Sequence, residues 1–278
     1  MMFNISIVLY KPRWQQELLP LLEELLKIRS LRTIYLVDNS PQKTDVIPIS
    51  SKKIKYIFVG ENIGYGRGHN IAIRETIYQR LSHHLVMNSD IKVDREDVEK
   101  LYDFLSSNDQ VGVLMPKVTN PNGDVQYLCK LLPSPMDVFG RRFLPSSWIR
   151  TRNDRYELRG ADYSRPMNVP YLSGCFMFLR TEAVFKARLF DERFFMYPED
   201  VDLTRRIHRD YLTLYYPSVT IIHDHAKESY HNLRLLWIHC VNMCKYFNKW
   251  GWFFDRERRL VNKQVYNQLV SKGKQSIN

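Results

Sequence analysis

Residues 85–90 read Leu85-Val86-Met87-Asn88-Ser89-Asp90, an apolar run stopped by three polar residues. A short apolar run closed by turn formers is the trace of a strand buried on both faces. The same shape lies upstream. Thr33 to Val37 is an apolar run stopped by Asp38-Asn39-Ser40-Pro41, and Ile54 to Val59 runs into a glycine-rich loop. Ile5 to Leu9 and Val111 to Met115 complete a set of five predicted strands. Between them, Leu18 to Ile28, His69 to Leu81 and Asp94 to Ser106 carry apolar residues at helical spacing. Strand and helix in alternation predict an α/β fold with helices on both faces of a parallel sheet.

Ligands of such sheets bind at the carboxyl ends of the strands. Three polar clusters fall there: Asp38-Asn39, the loop from Glu61 to Asn70, and Asn88 to Asp90. Each alone is ordinary turn chemistry; the three together on one predicted edge point to a site. The loop reads Asn62-Ile63-Gly64-Tyr65-Gly66-Arg67-Gly68-His69-Asn70. It lacks the Lys-Ser/Thr of a P-loop and the third glycine of a dinucleotide fingerprint. Its glycines permit close backbone approach to a ligand. It opens a predicted helix whose N-terminus favours an anion, and Arg67 adds positive charge. Asp90 offers a carboxylate for a hard cation that would also hold phosphate oxygens.

Further on, Phe190 to Leu203 sets aromatic residues before Glu199-Asp200-Val201-Asp202 at a predicted helix start. Capping explains such acids; so does a general base for a hydroxyl proton. Tyr171 to Leu179 is an apolar strand interrupted at Ser173-Gly174, where a ligand can approach. Thr220 to His225 ends a strand in two histidines, and His223 is a candidate metal or phosphate ligand. The stretch from Cys129 to Pro170 is proline-rich and irregular. Ala226 to Arg259 is helical, aromatic and basic, and the tail after Lys263 is polar and frayed.

The 278 residues have 44% hydrophobic and 26% charged composition, fitting an ordered globular chain. The four cysteines form no CxxC pair and read as buried reduced thiols. No basic leader precedes the first strand, and no run of 18 apolar residues occurs. The formal charge is +11, of which +7 falls in the last 52 residues. A basic aromatic segment of that kind suits an anionic membrane surface, with packing expected up to Cys244 and lipid contact for Trp250 to Arg259. A nucleic-acid module would spread its cations and aromatics over one surface. A nucleotidyltransferase would carry glycines after its first strand, where Tyr10-Lys11-Pro12-Arg13-Trp14 stands.

These segments, in this order, resemble the family 2 glycosyltransferases, and their bacterial rhamnosyltransferase-like branch in particular. The likeness rests on Val37-Asp38-Asn39, the Asn62–Asn70 glycine loop, Met87 to Asp90, Ser173-Gly174, Phe190 to Phe195, Glu199 to Asp202 and Ile222-His223. It implies a GT-A nucleotide-binding sandwich around a mixed, mostly parallel sheet, with a catalytic domain over 1–226. Residues 1–118 would form the nucleotide half and 119–226 the acceptor half, followed by a helical extension over 227–278. Asp38, Asn39, Asn62, Gly64, Gly66, Arg67, Gly68, Asn70 and Asn88 would serve the donor nucleotide. Asp90 and His223 would hold Mn2+ or Mg2+, Asp200 would be the base with Glu199 beside it, and Ser173 and Gly174 would meet the acceptor. Asn88 replaces the first acid of the family's DxD element, which moves it toward ribose or water. The implied reaction is inverting transfer of a sugar, L-rhamnose or another hexose, from a nucleoside diphosphate to a glycan or polyprenyl-linked acceptor in cell-surface polysaccharide synthesis. The implied location is cytoplasmic, on the inner face of the membrane, with no nucleic-acid partner.

Overall fold

A computed structural model describes residues 2–43, 48–224 and 233–271. In chain order the elements are β1 (Phe3–Leu9), α1 (Leu19–Leu26), β2 (Leu31–Asp38), β3 (Ile54–Phe58), α2 (Tyr65–Tyr78), β4 (His83–Met87), β5 (Ile91–Lys92), α3 (Arg95–Ser106), β6 (Val111–Thr119) and β7 (Cys129–Lys130). There follow α4 (Arg141–Phe143), α5 (Ser146–Tyr156), β8 (Met167–Asn168), β9 (Tyr171–Leu172), β10 (Phe176–Arg180), α6 (Thr181–Lys186), α7 (Glu199–Ile207), β11 (Leu212–His223), α8 (Leu233–Trp250) and α9 (Arg256–Tyr266).

The main sheet has the order β3-β2-β1-β4-β10-β6-β11-β5, with β8 also on β11. β1 to β4, β6 and β11 run one way; β5, β8 and β10 oppose them. The sheet is therefore mixed and mostly parallel, as expected, and the carboxyl ends of β2, β3 and β4 share one edge. Antiparallel β10 is wedged between β4 and β6, pairing Phe176 with Met87 and Phe178 with Leu114. That register sets Gly174 and Cys175 beside Asn88, whose amide donates to the Cys175 carbonyl at 2.9 Å.

One core, with Leu22, Leu25, Val98 and Leu101, lies under α1 and α3. The other, with Ile73, Val184, Leu203 and Val265, lies under α2, α6, α7 and α9. Ser6 Oγ on β1 sits 2.6 Å from His69 Nδ1 on α2 and 2.8 Å from His84 Nε2 on β4. Thr76 Oγ1 stands 2.7 Å from His84 Nδ1. Burial pushes His69 well down and His84 down to about 3, so this network is made by neutral rings.

Four local expectations are corrected. First, α2 begins at Tyr65, not His69, so the glycine-rich stretch forms its first turns. Glycine disfavours helix by about 1 kcal/mol relative to alanine, but here it permits close packing. A Cβ on Gly66 would stand 2.9 Å from Phe190 Cβ, and one on Gly68 would stand 2.7 Å from Val8 Cγ2. Second, residues 129–170 are not simply irregular: α5 folds there, anchored where Leu131 N donates to the Tyr156 carbonyl.

Third, the C-terminal region is two helices joined by a turn at Gly251, φ +99°, and the described part of the tail, up to residue 271, packs, while residues 272–278 lie outside the described residues. Val265 and Val270 are buried in the second core, and the Asn262 side chain bonds both backbone groups of Leu132 at 2.8 Å. Fourth, part of the predicted lipid-facing stretch is consumed inside. Arg205 of α7 forms a bidentate pair with Asp255, both contacts at 2.8 Å, and stacks on Trp250 at 3.9 Å from the ring centroid. Arg258 is buried against the Pro133 and Trp252 carbonyls, leaving Phe253 and Phe254 outward. The expected boundary at 226/227 and His225 lie outside the described residues. All four cysteines are free thiols; Cys129 and Cys175 are buried, whereas Cys240 and Cys244 are only partly so.

Two outcomes follow from this packing. The folded pKa of His69 and His84 lies below the unfolded value of 6.5, so their contribution is complete above that value and is lost as pH falls through it. His84 is expected to cost on the order of 1–3 kcal/mol between pH 7 and pH 4, with His69 acting in the same direction. Thermal melting at stepped pH checks this, and equal melting temperatures at pH 7 and 4.5 would remove the neutral-histidine account. Separately, Gly64 combines φ +92° with a Cβ position 2.3 Å from the Phe195 carbonyl oxygen. Gly64→Ala should lose about 2–4 kcal/mol in a denaturant melt, far more than Gly123→Ala, whose φ is also positive but whose Cβ position is open.

Candidate functional site

The predicted edge carries a continuous line of polar contacts built from five elements. Asp90 follows β4, and β11 pairs with β5 so that His223 stands next to it, Nε2 to Asp90 Oδ1 at 3.3 Å. His223 Nε2 is also 3.4 Å from Asn88 Nδ2, while its Nδ1 is 3.2 Å from Gln126 Oε1. Gln126 grips the same residue's carbonyl at 2.8 Å, fixing the ring from behind. Burial alone would lower the His223 pKa; the hydrogen-bonded Asp90 and the nearby Cys175 outweigh it and raise it to about 10.

Tyr65 continues the line. Its hydroxyl donates to the Gly174 carbonyl at 2.6 Å and lies 3.1 Å from Asn88 Oδ1; one proton serves one acceptor at a time. Burial, with Cys175 and the acids Glu199, Asp200 and Asp90 nearby, raises the Tyr65 pKa well above its ordinary value, so it stays a donor. Gly174 N–H then donates to Asp200 Oδ2 at 3.0 Å. A Cβ on Gly174 would stand 3.3 Å from both Asp200 Cβ and Tyr65 Cε1, so glycine here lets the two approach.

Asp200 opens α7. Its Oδ1 accepts from Val201 N–H at 2.7 Å and its Oδ2 lies 3.4 Å from the Tyr171 hydroxyl. Burial raises its pKa to about 6, against the pull of the Gly174 and Val201 amides and of Lys130. Glu199 is 4% exposed, and burial together with Asp200 drives its pKa well above the usual carboxyl range. Two adjacent acids therefore titrate far from their ordinary values, as functional carboxylates do. Their place in the first turn of α7, where Asp200 also accepts from the Val201 amide, suits the helix N-terminus, and the raised pKa values come on top of that role. Tyr197 holds φ at +89°, a costly value for an aromatic residue, and packs edge-on to His239 of α8 at 4.9 Å. Asp202 faces the other way, fully buried between Arg206, Lys249 and the Trp250 indole.

The remaining predicted residues have other surroundings. Asp38 is fully buried, its Oδ1 accepting from Ser40 N–H at 2.8 Å and its Oδ2 from the Tyr56 hydroxyl at 2.5 Å. Asn39 donates to the Gly64 carbonyl at 3.1 Å, and Asn62 accepts from Gly64 N–H at 3.1 Å. Asn70 clamps Phe190 through both its carbonyl, at 2.9 Å, and its amide, at 3.1 Å. Gly64, Gly66 and Gly68 face protein, Arg67 reaches Glu192 at 3.4 Å, and Ser173 closes its own turn onto Cys175. Asp90, His223, Asn88, Gly174, Asp200 and Glu199 are brought together; Asp38 and the loop hold the segments that carry them. Sequence reading missed Tyr65, Gln126 and Tyr171. An aromatic residue set between two glycines was the available signal for Tyr65; nothing local marked the other two.

Residues 5–186 match the family described as Glycosyl transferase family 2. An N-acetylglucosaminyl-diphospho-decaprenol L-rhamnosyltransferase of Mycobacterium tuberculosis is 29% identical over 235 residues, covering 74% of this chain and 73% of its own. The low-salt glycan biosynthesis hexosyltransferase Agl10 of Haloferax volcanii is 25% identical over 218 residues, covering 77% of this chain and 64% of its own. Among solved structures, GalNAc-T7 with UDP, GalNAc and Mn2+ aligns with a TM-score of 0.58 at 14% identity, over 80% of this chain and 43% of that one. Mannosyltransferase PcManGT of Pyrobaculum calidifontis, with GDP-Man and Mn2+, aligns at 0.55 and 14% identity, over 89% and 63%. These structural likenesses carry the fold, and the sheet is the GT-A arrangement that the sequence led one to expect. With about two thirds of its length matching the family model and its acids gathered at the carboxyl edge of the sheet, the chain belongs to glycosyl transferase family 2 and is a sugar transferase.

Proposed function

We propose that the chain is an inverting, metal-assisted transferase that moves L-rhamnose or another hexose from a nucleoside diphosphate to a polyprenyl-diphosphate-linked glycan. The observation that carries this reading is the line of contacts from Asp90 through His223, Asn88, Tyr65 and Gly174 to Asp200. It joins a hard-ion ligand to a carboxylate of raised pKa through a short chain of polar contacts. The M. tuberculosis relative, whose name specifies a diphospho-decaprenol acceptor, supports the substrate class.

Asp90 and His223 offer one oxygen and one imidazole nitrogen, a donor set that suits Mn2+ or Mg2+. No group of three or more such side chains closes into a cage among the described residues, so the donor diphosphate and water would complete the coordination. When bound, the cation offsets charge on the departing diphosphate. With Gln126 accepting the Nδ1 proton, a cation at Nε2 of His223 would take the place of the proton now held against Asp90. Asp200 would take the acceptor hydroxyl proton as the anomeric bond forms, and Glu199, held neutral, would spare the site a second negative charge. Residues 1–118 would supply the nucleotide side and 119–226 the acceptor side. The Asp38 carboxylate would reach a nucleoside only on exchange of its Tyr56 contact.

No helix among the described residues is long and apolar enough to cross a membrane. Peripheral attachment to an anionic inner face would use the exposed Phe253 and Phe254 with Arg256 and Arg259. Phe253→Ser with Phe254→Ser should abolish co-sedimentation with vesicles of phosphatidylglycerol; sedimentation indifferent to lipid charge removes this attachment.

The base assignment has a two-sided test. Ionised Asp200 costs stability at neutral pH, because its folded pKa is raised from 3.8 to about 6. Asp200→Asn removes that charge but turns an NH2 on one of the two amides that Asp200 now accepts from, so it should melt within about 2 kcal/mol of the wild type. It should keep metal-dependent thermal stabilisation by one of UDP, dTDP or GDP, and lose transfer at least about 1000-fold. Wild-type transfer should rise with pH to a half-maximum near 6. A folded Asp200→Asn protein that transfers normally ends the assignment.

A further inference from the structure

Lys130 is a cation that no carboxylate touches among the described residues, although Asp200 and Glu157 act on it from a distance. It lies on β7, paired across to Tyr171 on β9, and its Nζ stands 5.7 Å from the Tyr171 ring and 5.8 Å from the Tyr156 ring. Among the described residues it makes no ion pair and no hydrogen bond, whereas its neighbours Arg141 and Arg159 are both committed to Glu157, at 2.7 and 2.8 Å. Tyr faces attract an ammonium but leave its three N–H donors unspent. Burial lowers the Lys130 pKa, with Arg141 adding to the effect and the more distant Glu157 and Asp200 only partly offsetting it, so a further anion in contact would favour the charge there.

Its place relative to the reaction is specific. Tyr171, directly under Lys130, reaches Asp200 with its hydroxyl at 3.4 Å. Lys130 thus approaches Asp200 from the Tyr171 side, while Asp90 connects to Asp200 through Asn88 and Tyr65. The anion for which Lys130 stands ready would therefore arrive with the acceptor, not with the donor. Beyond Tyr156 and Arg141, the α4–α5 corner leaves Phe143 63% and Trp148 78% exposed, with Met136 and Leu144 also outward. A phosphate-bearing group next to the base, continuing into an apolar surface, is the outline of a lipid phosphate.

We infer that Lys130 binds the phosphate of a prenyl-diphosphate-linked acceptor, whose isoprenoid chain lies along Phe143, Leu144 and Trp148. This rests on the transferase reading above but concerns only its acceptor side.

The test is calorimetric titration of the full chain with farnesyl diphosphate, with farnesol, and with dioctanoyl phosphatidylglycerol. Each is run with and without Mg2+ and a saturating nucleoside diphosphate. Farnesyl diphosphate should bind at least tenfold more tightly than either control, and nucleotide should not displace it. Lys130→Gln should weaken it about tenfold without changing nucleotide affinity, and Lys130→Arg should restore most of the loss. Should Lys130→Gln fail to fold, Lys130→Met, which keeps the stem over the tyrosines, takes its place. Wild-type affinity in the folded variant overturns the inference, as does displacement by nucleotide. So does equal binding of the phosphatidylglycerol, or a variant whose only change is the pH midpoint of transfer. Failure of the wild type to bind any nucleotide would count against the transferase reading, and the farnesyl diphosphate titration would still report on Lys130.

Discussion

A backbone amide holding a carboxylate out of water is the constraint on which the rest of the molecule turns. Gly174 N–H meets Asp200 at 3.0 Å only because β10 enters the sheet backwards between β4 and β6 and begins its pairing at Phe176, two residues past Gly174. The contact asks two things of the fold. Residue 174 must lack a side chain, and the start of α7 must be pressed against the sheet edge. Much of the remaining polar chemistry serves the second demand. Asn70 clamps Phe190, Asn242 of α8 accepts from Phe195 N–H at 3.0 Å, and the Phe195 carbonyl accepts from Tyr65 N–H at 3.0 Å. The segment between α6 and α7 is thereby held from both sides, and Asp200 is delivered with a proton affinity that neither water nor an isolated helix would give it.

The sheet was legible in the sequence because its strands are buried on both faces, so each prints as an apolar run closed by turn formers. β4 with Asn88 to Asp90 is the clearest instance. The start of α2 was not legible. Three glycines in its first turns lower helix propensity, and the compensation is contact with Phe190 and Val8, residues 120 positions downstream and 60 upstream in round terms. The acids at 199 and 200 were legible as a cluster but not as a pair with shifted titration, since that depends on burial under Tyr65 and Tyr171. Asp38 adds that a polar residue at a strand end is also held by its own turn and by a tyrosine 18 residues on, which local sequence does not show.

The C-terminal segment shows why composition alone was ambiguous there. Aromatic residues mixed with cations suit a lipid interface, and equally a buried ion network capped by rings. What separates the two is the partner set, here Asp202 against Lys249 and Trp250, and Arg205 against Asp255 and Glu257. Those acids are 47 to 52 residues from their partners, beyond any local pattern. Such buried pairs add little net stability, but losing one partner leaves a charge stranded in the interior.

That last property sets a schedule for biosynthesis. Arg205 emerges from the ribosome some fifty residues ahead of Asp255 and Glu257. Until they appear, the helix that carries Asp200 brings to the sheet a guanidinium whose acids are still missing, although Leu203 and Ile207 already give it an apolar face. The nascent chain can build β1 to β6 as it is made, yet the ion network behind α7 closes only after residue 257 has emerged. A chain interrupted before that point carries Arg205 without Asp255 or Glu257 to meet it.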